Sequence, residues 1–301
     1  IFLRLITLMY QKNKNRPIVL VANSSWYLYH YRKKLISTLN RFEHVITISP
    51  FDSSSYDLGK ISLNILWKIN KYKEKNFLSF CKSLIRMILI IRTIKPKLIH
   101  SHTIKANLVI SFVSFIFNIP NVLSFTGLGR LSNGGIFAQN FLKVMLKIIL
   151  FFSTHKFSKM KISSDNSKRG YFIFQNPRDL NYFFSHIDLK KIYNYKLIYG
   201  SGIPNYYVKE GMLKKNIWDD NINKKESDIT KIDLIFCGRL LKSKGINLFL
   251  EIAKQSDINN AFIYGSNSHE SISLFPKEDK YSDIKQPNKI KFMGNLTDPL
   301  L

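Results

Sequence analysis

The sequence is short of cysteine and of acid. Only Cys81 and Cys237 occur among 301 residues, far apart in the chain. That excludes a disulfide framework and a CxxC zinc site, and it suits a reducing cytosol. Asp and Glu total 20 against 46 Lys and Arg, a formal net charge of +26. No apolar run reaches the roughly 18 residues needed to cross a bilayer. The first apolar run is not followed by G-x-G-x-x-G, which argues against a Rossmann dehydrogenase. Zinc-finger spacing, an RNP-type aromatic motif and a helix-turn-helix signature are all missing. The start, Ile1-Phe2-Leu3-Arg4-Leu5-Ile6, lacks an initiator Met and a small-residue cleavage site. It reads as a clipped or oddly assigned start, not as a signal peptide.

What is present is apolar mass. Hydrophobic residues make up 45% of the chain and aromatics 14%, enough to bury a substantial core. The length fits two domains of ordinary size. The cationic excess fits a solvated Lys-rich surface, attraction to an anionic membrane or nucleic-acid binding. The last of these has no supporting motif.

Short apolar runs alternate with longer amphipathic stretches. Strands are expected at Ile18–Ala22, His44–Ile48, Lys97–His100, Asn121–Phe125, Tyr171–Phe174 and Lys196–Tyr199. A helix is expected over Leu28–Leu39. This β-α-β-α rhythm predicts a parallel sheet covered by helices. Residues 209–231 are polar and have no apolar period, so they read as a linker or loop. A second series follows, with strands at Ile232–Phe236, Ala261–Tyr264 and Lys289–Met293 and a helix over Gly245–Lys254. The expected organisation is an N-terminal Rossmann-like domain over 1–208 and a partial second domain over 232–301. The fold class is α/β, with two doubly wound units and the second one truncated.

Two stretches read as unusually apolar helices, Phe77–Ile94 and Ile136–Phe152. Each covers a sheet, or presents a Lys-rimmed apolar face to a bilayer surface.

In a doubly wound sheet, ligands bind beyond the C-terminal ends of the strands. Four polar segments fall there. They are Asn23-Ser24-Ser25-Trp26, Ser101-His102-Thr103-Ile104-Lys105, Thr126-Gly127-Leu128-Gly129-Arg130 and Gly200-Ser201-Gly202. His102 is placed to donate a hydrogen bond to a sugar hydroxyl or a carbonyl. Gly127 and Gly129 let the backbone approach a ligand closely. In the second series, Gly238-Arg239 ends a strand and Lys244-Gly245 opens a helix. A planar fork and a point charge so placed suit a diphosphate.

Together these segments resemble bacterial family 4 glycosyltransferases. The resemblance rests on Asn-x-Ser-Trp, Ile-His-Ser-His-Thr-x-Lys-Ala, Ser-Phe-Thr-Gly-Leu-Gly, Phe-Gln-Asn-Pro-Arg-Asp-Leu, Gly-Ser-Gly-Ile and Gly-Arg-Leu-Leu-x-x-Lys-Gly. They occur in family order over about residues 17–301. The group it is most similar to extends undecaprenyl-diphosphate-linked sugars. The resemblance implies a GT-B fold, with two Rossmann-like domains facing across a cleft. It implies that the 1–208 domain takes the acceptor and the 232–301 domain the nucleotide sugar, with retaining, metal-independent transfer from a UDP-linked donor and no cofactor. Arg239 and Lys244 would hold the donor diphosphate, and His102 would lie near the transferred sugar. Asn23, Ser24, Lys105, Thr126, Gly127, Gly129, Gly238 and Gly245 would belong to loops bordering the cleft. The acceptor would be a lipid-linked saccharide, at the cytoplasmic face of an anionic membrane. The family's Glu-x7-Glu motif has no match here and is expected beyond Leu301. A catalytically silent remnant or a GT-B nucleotide-sugar epimerase are the alternatives.

Overall fold

The structure, a computed structural model, describes residues 16–67, 77–128, 132, 134–155, 170–186, 194–202, 232–238, 240, 244–255, 258–265 and 290–294. The chain divides into two compact units, 1–202 and 203–301. The 209–231 segment read as a linker lies outside the described residues.

The first unit is a seven-stranded sheet. Its strands are β1 (Ile18–Val21), β2 (Val45–Ser49), β3 (Leu63–Leu66), β4 (Leu98–His102), β5 (Asn121–Phe125), β6 (Gly170–Phe174) and β7 (Tyr195–Leu197). The order is β3-β2-β1-β4-β5-β6-β7, and every pairing is parallel. β1 and β2 are buried at every position, which is why they read as continuous apolar runs and do not alternate.

Among the described residues, six helices connect these strands. They are α1 (Ser25–Leu39), α2 (Ser55–Ile61), α3 (Phe77–Ile94), α4 (Ile104–Phe117), α5 (Ile136–Thr154) and α6 (Pro177–His186). On one sheet face, Val19, Val21, Ile99, Leu123 and Phe125 pack with the buried sides of α3, α4 and α5. On the other, Ile18, Leu20 and Val45 pack with Leu28 and Ile36 of α1 and Leu58 of α2. Each fully buried aliphatic side chain contributes on the order of 1.5–3 kcal/mol.

Local chemistry sets the helix ends. The side chain of Ser24 accepts from the N–H of Tyr27 at 3.3 Å, so α1 begins at Ser25 and not at Leu28. Asn118 takes a left-handed conformation after α4 (φ 58°) and is followed by Ile119 and Pro120, which stops the helix.

β5 and α3 have the expected bounds. β4 departs from expectation by running on through Ser101 and His102. Both are polar, which hid the strand, yet they pair in register with Leu123 and Ser124 of β5. The short elements α2 and β3 and the helix α6 were not anticipated.

α5 also corrects the sequence expectation about bilayer-length segments. It has 19 residues and is long and apolar enough to cross a membrane by length and composition. Lys143 and Lys147 interrupt the apolar run without lowering its average enough. Its Leu142, Leu146, Ile149 and Leu150 nonetheless belong to the core against the sheet.

The second unit shows β8 (Ile232–Cys237), β9 (Ile258–Tyr264) and β10 (Ile290–Gly294), parallel in the order β10-β9-β8. Helix α7 (Ile246–Ile252) packs over them. Leu240, Ile246 and Ile263 are its buried centre.

Candidate functional site

The strand order reverses at β1, which lies between β2 and β4. Loops leaving β1 and β4 therefore diverge and open the crevice that such sheets use for ligands. In the first unit, Asn23, Ser24, His102, Lys105, Thr126 and Gly127 lie at the C-terminal ends of β1, β4 and β5.

Asn23 and Ser24 leave β1 and are half-buried. Besides capping α1, Ser24 donates to a carboxylate oxygen of Asp52 at 2.9 Å. The same oxygen accepts from the N–H of Trp26 at 3.0 Å. The Ser24 hydroxyl is thus committed to tying the loop after β1 to the loop after β2.

β4 brings two histidines to one face, the face that α1 covers. His100 Nε2 is 2.8 Å from the hydroxyl of Ser124. His102 is 1% exposed, and neither of its ring nitrogens has a partner among the described residues. Burial, then the charge of Arg32, pushes His100 down to about 3. Burial, then His100, then Arg32, holds His102 well below the ordinary histidine range. Both rings are therefore neutral at physiological pH. A neutral imidazole offers one donor and one acceptor.

Arg32 and Tyr27 approach these rings from α1. Arg32 Nε and Nη2 donate to the Tyr27 hydroxyl at 2.9 and 2.6 Å. Thr126, just past β5, also reaches that hydroxyl, although burial is the larger effect and raises the phenol above its usual range. Arg32 was indistinguishable in the sequence from its neighbours Lys33 and Lys34, which are exposed. Tyr27 was one aromatic in an aromatic-rich run. The neighbour relation of His100 to His102 at i and i+2 was the one signal available, because a strand puts that spacing on one face.

Thr103 follows His102 with φ 79° and ψ 149°, a conformation that costs a non-glycine residue on the order of 1–3 kcal/mol. Its buried hydroxyl has no partner among the described residues. The turn opens α4, which places Lys105 on an exposed position of the first helical turn. Asn107 braces the turn: it accepts from the Ser101 hydroxyl at 2.6 Å and donates to the Ser124 carbonyl at 3.1 Å. Gly127 has φ 136°, and a Cβ there would meet nothing within 4 Å. Its backbone conformation, not crowding, calls for glycine. Gly129 lies outside the described residues.

In the second unit, Gly238 ends β8 and Gly245 caps α7 in the left-handed conformation, with φ 82°. Lys244 is exposed in the turn just before it. Arg239 lies outside the described residues, so its position relative to Lys244 is a prediction. Gly265, after β9, packs its backbone directly on Gly238.

No protein-family model and no curated protein matches the chain. Solved structures do. HepE of Anabaena, in complex with UDP and glucose, is similar with a TM-score of 0.61 at 14% identity, over 94% of this chain and 70% of that one. Sucrose-phosphate synthase of Thermosynechococcus elongatus gives 0.59 at 11%, over 93% and 71%. The lipopolysaccharide outer core galactosyltransferase WaaB gives 0.53 at 10%, over 94% and 69%. At such identities the likeness is one of fold. The fold is GT-B: α/β, with a seven-stranded parallel first unit and a second Rossmann-like unit.

Proposed function

We propose that the protein is a retaining glycosyltransferase. It moves a hexose or N-acetylhexosamine from a UDP-linked donor to a saccharide carried on a polyprenyl diphosphate. The observation that carries this reading is His102. It is a neutral, buried imidazole with both nitrogens unpartnered among the described residues, at the topological switch point of a GT-B fold. The fold likeness to HepE solved with UDP and glucose supports a nucleotide-sugar donor.

The chemistry follows from the charges. The acceptor hydroxyl attacks the anomeric carbon while the bond from that carbon to the diphosphate oxygen breaks. The departing diphosphate gains negative charge, which Arg239 and Lys244 neutralise as it develops. Its oxygen takes the acceptor's proton, so attack and departure occur on one face and the configuration is retained. His102 donates to a sugar hydroxyl and accepts from another group, which a protonated imidazole could not do.

A cytoplasmic protein resting on an anionic membrane fits the acceptor. There is no Asp or Glu in the sequence between Glu74 and Asp165. That acid-free stretch contains α3, α4 and α5. Phe137, Phe141 and Phe151 of α5 and Leu78 and Ile85 of α3 face outward. An apolar face among cations suits an anionic interface.

The test is transfer of labelled sugar from a panel of UDP-sugars to polyprenyl-diphosphate-linked saccharides. The expected result is a lipid-extractable product. His102→Ala should lower turnover by more than about tenfold, with the fold intact by circular dichroism. Turnover unchanged by His102→Ala would overturn the assignment.

A further inference from the structure

The ring of His102 is held in an unusual way. The tautomer and plane of a working imidazole are ordinarily set by a hydrogen bond to one nitrogen. His102 has none among the described residues. Two other rings touch it instead. That of His100 lies 4.2 Å away, centroid to centroid, and that of Tyr27 lies 5.6 Å away.

Both neighbours are tethered at their far ends. His100 is bound to Ser124, and Tyr27 receives two N–H groups from Arg32. The Arg32 guanidinium also lies 5.3 Å from the centre of the Tyr27 ring. Arg32 is 9% exposed, and the ion pairs found among the described residues do not include it. A buried cation without a counter-charge is expensive. Surface packing of α1 does not require one, since Leu28 and Ile36 already bury that helix.

We propose that Arg32 and Tyr27 are positioning residues, which clamp the ring of His102 against His100 and leave both its nitrogens free for substrate. The clamp rests on reading His102 as the group that meets the transferred sugar. Among the described residues, these groups lie around it. α1 supplies Tyr27 and Arg32, β4 supplies His100, and the end of β5 supplies Ser124 and Thr126. β1 places the apolar Leu20 in register with His100. The clamp therefore fixes orientation and also opposes protonation, through the charge of Arg32.

Nitrogen-15 NMR of the histidine rings in the resting protein tests this. In the wild type, His102 should show one narrow set of ring signals, from a ring held in one orientation, and should resist protonation well below the ordinary histidine range. Arg32→Gln should broaden or split the ring signals as the ring loosens, and should move protonation to higher pH. Arg32→Lys should restore the resistance to protonation but not the single ring orientation, because a point charge lacks the fork that tethers Tyr27. Tyr27→Phe keeps the ring, loses the tether and should also broaden or split the His102 ring signals. In transfer assays kcat should fall roughly tenfold in Arg32→Gln with the donor KM unchanged.

Unchanged His102 signals in a folded Arg32→Gln protein would overturn the clamp. Should that variant not fold, unchanged signals in Tyr27→Phe would do so. The NMR measurement uses no sugar or nucleotide, so the clamp is judged separately from the transferase reading. An intact clamp in a protein that transfers nothing would count against that reading alone.

Discussion

A Cβ built on Gly265 would lie 1.9 Å from the carbonyl oxygen of Gly238. The loops after β8 and β9 therefore touch backbone to backbone, and no side-chain rotation relieves the clash. Gly238 N–H also donates to the carbonyl of Tyr264 at 2.9 Å, and Gly265 N–H to that of Gly294 at 2.8 Å. The three strand ends of the second unit are laced together at the point where Gly238-Arg239 begins. Gly265→Ala should cost about 1–3 kcal/mol of stability, as overpacking does, and weaken nucleotide binding with it. Denaturant unfolding and calorimetric titration with UDP measure the two effects. A variant with wild-type stability would mean the loops part freely.

The buried histidines predict a pH dependence. His100 has its folded value depressed to about 3 from an ordinary 6.5. Its stabilising contribution is complete above pH 6.5 and is lost as pH falls from there towards 3, because the unfolded chain takes up a proton that the folded one refuses. The slope is about 1.4 kcal/mol per pH unit for one such site. His102, shifted in the same direction, roughly doubles it. Urea unfolding between pH 6.5 and 5 should show this loss, and His100→Asn should remove about half of the slope. Stability independent of pH across that window would contradict neutral burial of these rings.

Much of the fold was legible because it is written in apolar runs. Asn121–Phe125 stands between Pro120 and Thr126-Gly127, and its boundaries were read without error. β4 was cut short because Ser101 and His102 are polar. Only the tertiary pairing with β5 and the Asn107 bridge show why they belong to a strand. In the site, His102 was visible from its place after an apolar run. Arg32 was not, since burial decides its role and the sequence shows only one more cation in a cationic chain.

The outer face of α5 predicts membrane binding. Phe137, Phe141, Val144, Ile148 and Phe151 recur at steps of four and three and form one exposed stripe. Phe137 is 92% exposed. Vesicles with anionic lipid should carry the protein to the top of a flotation gradient, and neutral vesicles should not. Replacing Phe137 and Phe141 by Ser should abolish flotation. Lys143→Gln with Lys147→Gln should weaken it by about 2 kcal/mol, roughly thirtyfold in partitioning. Equal flotation on neutral and anionic vesicles would sink the electrostatic part of the proposal.

The donor site predicts a matched pair of losses. Gly238 and Gly245 frame a short connection from β8 to α7, with Arg239 just inside one end and Lys244 just inside the other. Glycine at both ends allows a tight turn, and on the proposed reading the two cations of this connection would share one diphosphate. Each charge-assisted contact contributes about 1.5–3 kcal/mol. Arg239→Ala and Lys244→Ala should therefore each weaken UDP-sugar binding by about tenfold or more. Arg239→Lys should recover only part of the loss, because a single ammonium cannot make the planar two-point contact. The affinity of both variants for uridine, which carries no phosphate, should stay at the wild-type value. That control separates loss of the diphosphate contact from damage to the unit. If Arg239→Ala and Lys244→Ala bind UDP as the wild type does, the diphosphate is held elsewhere and the assignment of this connection is wrong.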